Sequence, residues 1–203
     1  MVKKGGYEKY KEIFGDFWFE TPVYYFNLEY SLRFELIDRV PDEEYKVLKF
    51  LNELFNDLFL DDVYLILPFA KGITSEKLSL YGVEVNKDVV LEFDYYTRLK
   101  ELFKDIERYQ DIDVRYKCKV FKLRKRDFFI FNLFCRLFVG GLQNIVIPIV
   151  MADIDKKVFF HIYDNRGCDV VIKDKEFMKE IYEKYSDWIL ECNRDEIIKK
   201  IYG

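Results

Sequence analysis

Residues 159–177 read FFHIYDNRGCDVVIKDKEF. Two apolar, β-prone runs flank a polar centre, and a helix start signal follows. The tetrad Asp164-Asn165-Arg166-Gly167 has Asp at the first position of a turn and Gly at the fourth. A type I turn followed by a left-handed Gly is a common three-residue hairpin loop. This predicts a loop over Asn165, Arg166 and Gly167, with Asp164 opposite Cys168. Counting back pairs Tyr163 with Asp169, Ile162 with Val170 and His161 with Val171. Side chains alternate along a strand. Phe160, Ile162, Val170 and Ile172 therefore share an apolar face, and His161, Tyr163, Asp169 and Val171 share the opposite one.

The segments beyond it fit the same sheet. Asp174 is a candidate N-cap, and Phe177, Ile181, Tyr185, Trp188 and Cys192 form one stripe of a single amphipathic helix. Asn193 with Glu196 suggests a capping box for a short last helix. Upstream, NIVIPIVMADID reads as a strand, with Pro148 favouring an edge or irregular position and Asp153 and Asp155 flanking a tight turn.

In the N-terminal half, an amphipathic helix is expected over residues 7–14. Tyr30, Leu32, Phe34 and Leu36 alternate with Ser31, Arg33 and Glu35, which predicts a half-buried strand with a charged face. Asp42 can cap a helix carrying Leu48, Leu51, Phe55 and Leu58. VYLILPFA is a continuous apolar run, read as a buried strand ending near Pro68.

The middle is less regular. Short strands are expected at 79–85 and 88–93, then a helix through Leu99, Leu102, Phe103 and Ile106. A strand, IDVRYKCKVFKL, follows. An apolar helix capped by Asp127 and stopped by Gly140–Gly141 completes the set. No repeat or flexible linker divides the 203 residues. The expectation is one α+β domain over 1–203, with a single mixed or antiparallel β-sheet and helices packed mainly on one face.

Half of the residues are hydrophobic and about a third are charged, which suits a folded soluble protein. No apolar run reaches the ~18–20 residues needed to cross a bilayer, and the first residues lack a secretory pattern. A cytoplasmic location without membrane association is the expectation. Net charge is −4, so nothing global attracts nucleic acid or anionic lipid. Cys118, Cys135, Cys168 and Cys192 form no C-x-x-C pair, which argues for reduced, structural cysteines. No metal site and no cofactor are expected. Nucleotide-binding, serine-hydrolase and zinc-protease motifs are all missing from the sequence.

Three groups of residues remain as candidates for chemistry. His161, the sole histidine, lies on one face with Tyr163 and Asp169. A carboxylate there could orient the imidazole for general-base work in a hydrolase-type enzyme. The competing reading is a hydrogen-bonded cluster that supports the sheet. Second, RYKCKVFKLRKR (115–126) is basic. Arg115, Lys117, Lys119 and Arg124 could contact phosphates of a nucleic acid or an acidic protein, or guard an exposed edge strand. Third, Arg33 and Glu35 share the polar face of their strand and could line a pocket or pair within the sheet. Arg166 at the hairpin tip is a further binding candidate.

The C-terminal third, VFFHIYDNRGCDVVIKDKEFMKEIYEKYSDWILECNRDEI, resembles a bacterial family classed as a domain of unknown function. That family shows Phe-His-x-Tyr-Asp-Asp-Arg-Gly-x-Asp-Val, then a Lys-Glu-led helix running into Tyr-x-x-Tyr-x-x-Trp-Ile. The matching residues are Phe160, His161, Tyr163, Asp164, Arg166, Gly167, Asp169, Val170, Lys175, Glu176, Tyr182, Tyr185, Trp188, Ile189 and Arg194. YYFNLEYSLRFELID and DDVYLILPF resemble its N-terminal blocks. Asn165, Cys168 and Asn193 depart from the pattern, which weakens any reading of a carboxylate run as a metal site. The resemblance implies a soluble bacterial protein and carries no catalytic residue. With an acidic charge and many aromatics suited to interfaces, the expected function is non-catalytic protein binding, of the immunity or antitoxin type, with a toxin as partner.

Overall fold

The computed structural model describes residues 8, 12, 30–36, 44–60, 62–69, 89–98, 113–124, 149–162 and 166–203. In chain order the elements are β1 (Ser31–Glu35), α1 (Glu44–Leu58), β2 (Asp62–Phe69), β3 (Val89–Arg98), β4 (Asp113–Arg124), β5 (Ile149–Asp153), β6 (Val158–Ile162), β7 (Gly167–Ile172), α2 (Lys175–Lys184) and α3 (Arg194–Tyr202). Two short 3-10 turns, Ser186–Trp188 and Glu191–Asn193, lie between α2 and α3. The fold class is α+β.

The seven described strands form one sheet in the order β1-β7-β6-β5-β2-β4-β3. Every pairing is antiparallel. Alternation sorts the side chains into two faces. Leu32, Phe34, Val63, Leu65, Phe121, Met151, Phe160, Ile162, Val170 and Ile172 belong to one core cluster. Helix α1 supplies Val47, Phe50, Leu51, Leu54, Phe55 and Leu58 to this cluster, α2 supplies Met178 and Ile181, and α3 supplies Ile197 and Ile201. All three described helices thus bury their apolar stripes against the same sheet face. Phe50 is a junction there. Its ring stacks on Trp188 at 4.2 Å and lies 5.5 Å from both Phe34 and Tyr185.

Local signals explain several boundaries. Asp174 caps α2 by accepting from the Phe177 N–H at 2.9 Å. The β5–β6 turn forms because Asp153 Oδ1 accepts from the Lys156 N–H, while Lys157 adopts φ 54°.

The structure differs from the sequence expectations in specific places. The β6–β7 register is displaced by two residues: Ile162 faces Cys168, His161 faces Asp169 and Phe160 faces Val170. Gly167 is no loop residue. It lies in β7 opposite Glu35, because pairing with β1 runs to the end of that strand. A shift of two preserves every face assignment, so the apolar pattern could not reveal it.

Strand β1 is not half-buried, since Ser31 and Arg33 are also enclosed. Strands β4 and β5 are both interior rather than edge strands. Strand β2 ends at Phe69, next to Pro68, in keeping with the expectation. Its described pairs with β5 stop at Ile66, so proline interrupts none of them. Strand β3 continues past the expected end at residue 93 to Arg98, because its pairing with β4 extends that far; the expected helix through Leu99, Leu102, Phe103 and Ile106 lies outside the described residues.

The C-terminal helix stops at Lys184. Ile189 instead forms an extended bridge to Phe34, and the Leu190 N–H donates to the Arg33 carbonyl at 3.0 Å. Covering the outer edge of β1 requires that break, and it leaves Cys192 exposed. Asn193 precedes α3 but makes no side-chain cap hydrogen bond. Glu8 and Glu12 are helical. The expected strand at 79–85, the helix capped by Asp127, and Asp42, Cys135, Gly140, Gly141, Pro148, Tyr163, Asp164 and Asn165 lie outside the described residues.

Candidate functional site

The pairings place one polar row across three neighbouring strands. Arg33 on β1 stands opposite Asp169 on β7, and Asp169 stands opposite His161 on β6. The row continues as Val150 on β5, Ile66 on β2 and Val120 on β4. It lies on the face away from the three helices. Arg33 Nε donates to Asp169 Oδ1 at 2.7 Å, and Nη2 donates to Oδ2 at 2.8 Å. This is the bidentate geometry in which guanidinium and carboxylate match best.

The row is closed to solvent. Arg33 is 7% exposed, while His161 and Asp169 are each 1% exposed. Burial, with a smaller contribution from the Arg33 charge, lowers the His161 pKa to about 3. The imidazole is therefore neutral at ordinary pH, and it is a weak base. Both carboxylate oxygens of Asp169 already accept from Arg33, so its charge is matched by Arg33. The geometry suits an ion pair laid inside a sheet. A general base needs reach to a substrate proton, and this face offers no solvent-exposed imidazole.

The structure thus brings Arg33, Asp169 and His161 together, and His161, expected opposite Val171, stands directly opposite Asp169. Tyr163 lies outside the described residues. Glu35 is half-buried opposite Gly167, and Arg166 is exposed beyond it.

The basic segment has a different setting. Lys117 stands opposite Asp94 and Lys119 opposite Glu92 on β3, while Arg124 stands opposite Asp62 on β2. Arg115 faces Tyr96. Lys122 lies over the Tyr64 ring at 5.9 Å. The register sets acidic positions across from basic ones, the favourable cross-strand combination.

A cluster without a signal in the sequence links two helices. Asp57 near the end of α1 accepts from both the Lys184 ammonium and the Tyr185 hydroxyl. Burial first, and then the hydrogen bond to Asp57, raise the Tyr185 pKa. The partners are 127 and 128 residues apart in sequence, so no local spacing marks them.

Among the described residues, no group of three or more His, Cys, Asp or Glu side chains could hold a metal ion. Among the same residues, no helix is long and apolar enough to cross a membrane. Cys118 and Cys168 are both buried.

Comparison with known families now gives the chain a place. The family described as Domain of unknown function (DUF3885) matches residues 7–193. The chain belongs to the DUF3885 family. The matched region contains Arg33, His161 and Asp169, so the polar row lies inside the DUF3885 unit. Over 52 residues the chain is 38% identical to Uncharacterized protein YnaE of Bacillus subtilis (strain 168). That alignment covers 26% of this chain and 24% of the relative, about a quarter of its length. No solved structure matches.

Proposed function

We propose that this DUF3885 protein is a non-catalytic, cytoplasmic protein-binding protein, one that neutralises a partner as immunity proteins and antitoxins neutralise toxins. The observation that carries this reading is the placement of its chemistry. The one histidine is buried inside the sheet beside a buried ion pair, away from solvent. Exposed apolar side chains lie instead on the helical layer. Tyr45 is 75% exposed at the start of α1, and Leu60 is 62% exposed just beyond its end. Exposed aromatic and aliphatic groups on a negatively charged protein suit contact with another protein better than with a polyanion.

The alternatives have less support. A hydrolase built on His161, Tyr163 and Asp169 needs an open face. Nucleic-acid binding through residues 115–126 needs unmatched cations, whereas acidic positions stand opposite Lys117, Lys119 and Arg124.

The test is recovery of the tagged full-length chain from its native host, with quantitative mass spectrometry. The expected result is one co-purifying protein near 1:1, whose yield falls at least several-fold with Tyr45→Ser plus Leu60→Ser. Expression of that partner alone should be toxic, and co-expression of this chain should relieve it. Recovery of no stoichiometric protein overturns the reading. Salt-sensitive retention on a polyanion column that Arg124→Glu abolishes would favour nucleic acid instead.

A further inference from the structure

A sheet with one apolar face is protected against a one-residue slip, because that would turn every side chain over. A two-residue slip turns none over, and β1 illustrates the problem. In the observed register Leu32 faces Val170 and Phe34 faces Cys168. Sliding β1 by two would place Leu32 against Ile172, Phe34 against Val170 and Leu36 against Cys168. All of these are buried apolar residues of the same cluster. By residue type alone, the helical side of the sheet therefore does not distinguish the two alignments. Reading β6 against β7 from apolar pattern and turn chemistry alone gives the same two-residue displacement.

The opposite face does distinguish them. The slide would put Arg33 against Val171 and bring Glu35 against Asp169. A buried carboxylate would then meet a second carboxylate, and the guanidinium would lose its partner. Sliding the other way would set Arg33 against Gly167 and Asp169 against Ser31, again splitting the pair. On its outer edge, among the described residues, β1 is held by the bridge from Phe34 to Ile189.

We propose that the buried Arg33–Asp169 pair is a register lock, which selects one alignment of β1 on β7 from alignments that set apolar residue against apolar residue alike. Its role is conformational specificity. A buried ion pair is a poor source of net stability, and fixing register is the best-attested use of buried polar groups.

The test replaces both partners by apolar residues, Arg33→Met with Asp169→Leu, in the full chain. The Ile172 N–H donates to Tyr30 and the Leu36 N–H donates to Arg166, so the odd-numbered residues of β1 occupy the close, non-hydrogen-bonded pairs. In the unaltered protein, NMR should show one set of signals, with an Hα–Hα contact between Ser31 and Val171. The double variant should fold with the same strand content and show a second set, populated above about a tenth, in which Ser31 contacts Lys173. A folded variant with only the Ser31–Val171 contact overturns the proposal. Failure to fold also overturns it, because the pair would then be needed for the sheet itself. Ser31→Cys with Lys173→Cys, on a Cys192→Ser background, gives a second readout. Oxidation should link these residues in the apolar variant and at least several-fold less with Arg33 and Asp169 intact, where the positions are diagonal and out of disulfide reach. Equal cross-linking in both backgrounds rejects the lock.

Discussion

Arg33 and Asp169 meet across β1 and β7 through two parallel hydrogen bonds, with both side chains enclosed by the protein. Removing one partner leaves the other as a buried, uncompensated charge. Asp169→Ala and Arg33→Ala should each cost about 3–5 kcal/mol of unfolding free energy. The doubly substituted protein should lose far less than the sum. Urea denaturation of the four proteins gives the coupling energy directly. Additive losses, with no coupling beyond about 0.5 kcal/mol, would show that the pair does not act as a unit.

His161 makes acid stability a sharp observable. Its folded pKa, about 3, is below the unfolded value of 6.5. Between these values the unfolded chain binds a proton that the folded chain refuses. Stability is therefore complete above pH 6.5 and falls as pH drops toward 3. A single group with this shift accounts for a loss on the order of several kcal/mol over the window. Because it is the sole histidine, the range from pH 6.5 to 5 isolates it from the carboxylates. His161→Gln should flatten the urea midpoint across that range. An unchanged slope would reject the assignment.

How far these features could be read from the sequence depended on the range of the interactions involved. The faces of β1, β6 and β7 follow from alternation, because each element carries its own period. The Asp174 cap was equally visible, since donor and acceptor are three residues apart. Register was not visible: a two-residue offset keeps every face, and turn chemistry pointed to a loop that included Gly167. Strand order was hidden as well. Pro148 suggested an edge or an irregular position, and of these the edge does not hold for β5, which lies between β2 and β6. Ile189 is the clearest case. The spacing of Tyr185, Trp188 and Cys192 carried the helix past it, but the need to cover β1 drew Ile189 into an extended bridge. The polar row combined both outcomes, as its residue types were evident and their alignment and burial were not.

The two helix starts should respond differently to the same substitution. The Asp174 side chain holds the Phe177 N–H, so Asp174→Ala should cost about 1 kcal/mol. Asn193 makes no such bond to α3, and its Oδ1 lies 3.6 Å from the Cys192 thiol. Asn193→Ala should therefore cost only a few tenths of a kcal/mol by the same comparison. Thermal unfolding of both variants decides the matter. Equal losses would mean that Asn193 caps α3 in solution.

Asp57 joins the ends of α1 and α2 by accepting from two donors, and the donors are not equivalent. Lys184 is largely exposed, so its ion pair with Asp57 is screened and should contribute little. Tyr185 is buried against Phe50, where an unpaired hydroxyl would be costly. Lys184→Met should therefore change stability by less than about 0.5 kcal/mol. Tyr185→Phe removes the hydroxyl and keeps the ring in place, and should cost about 1 kcal/mol. Asp57→Ala strands the Tyr185 hydroxyl and should cost more than Tyr185→Phe. In the Asp57→Ala background, adding Tyr185→Phe should recover part of the loss. Denaturant midpoints for the four variants provide the check, and a Lys184→Met loss equal to that of Asp57→Ala would place the energy in the ion pair instead of the buried hydroxyl.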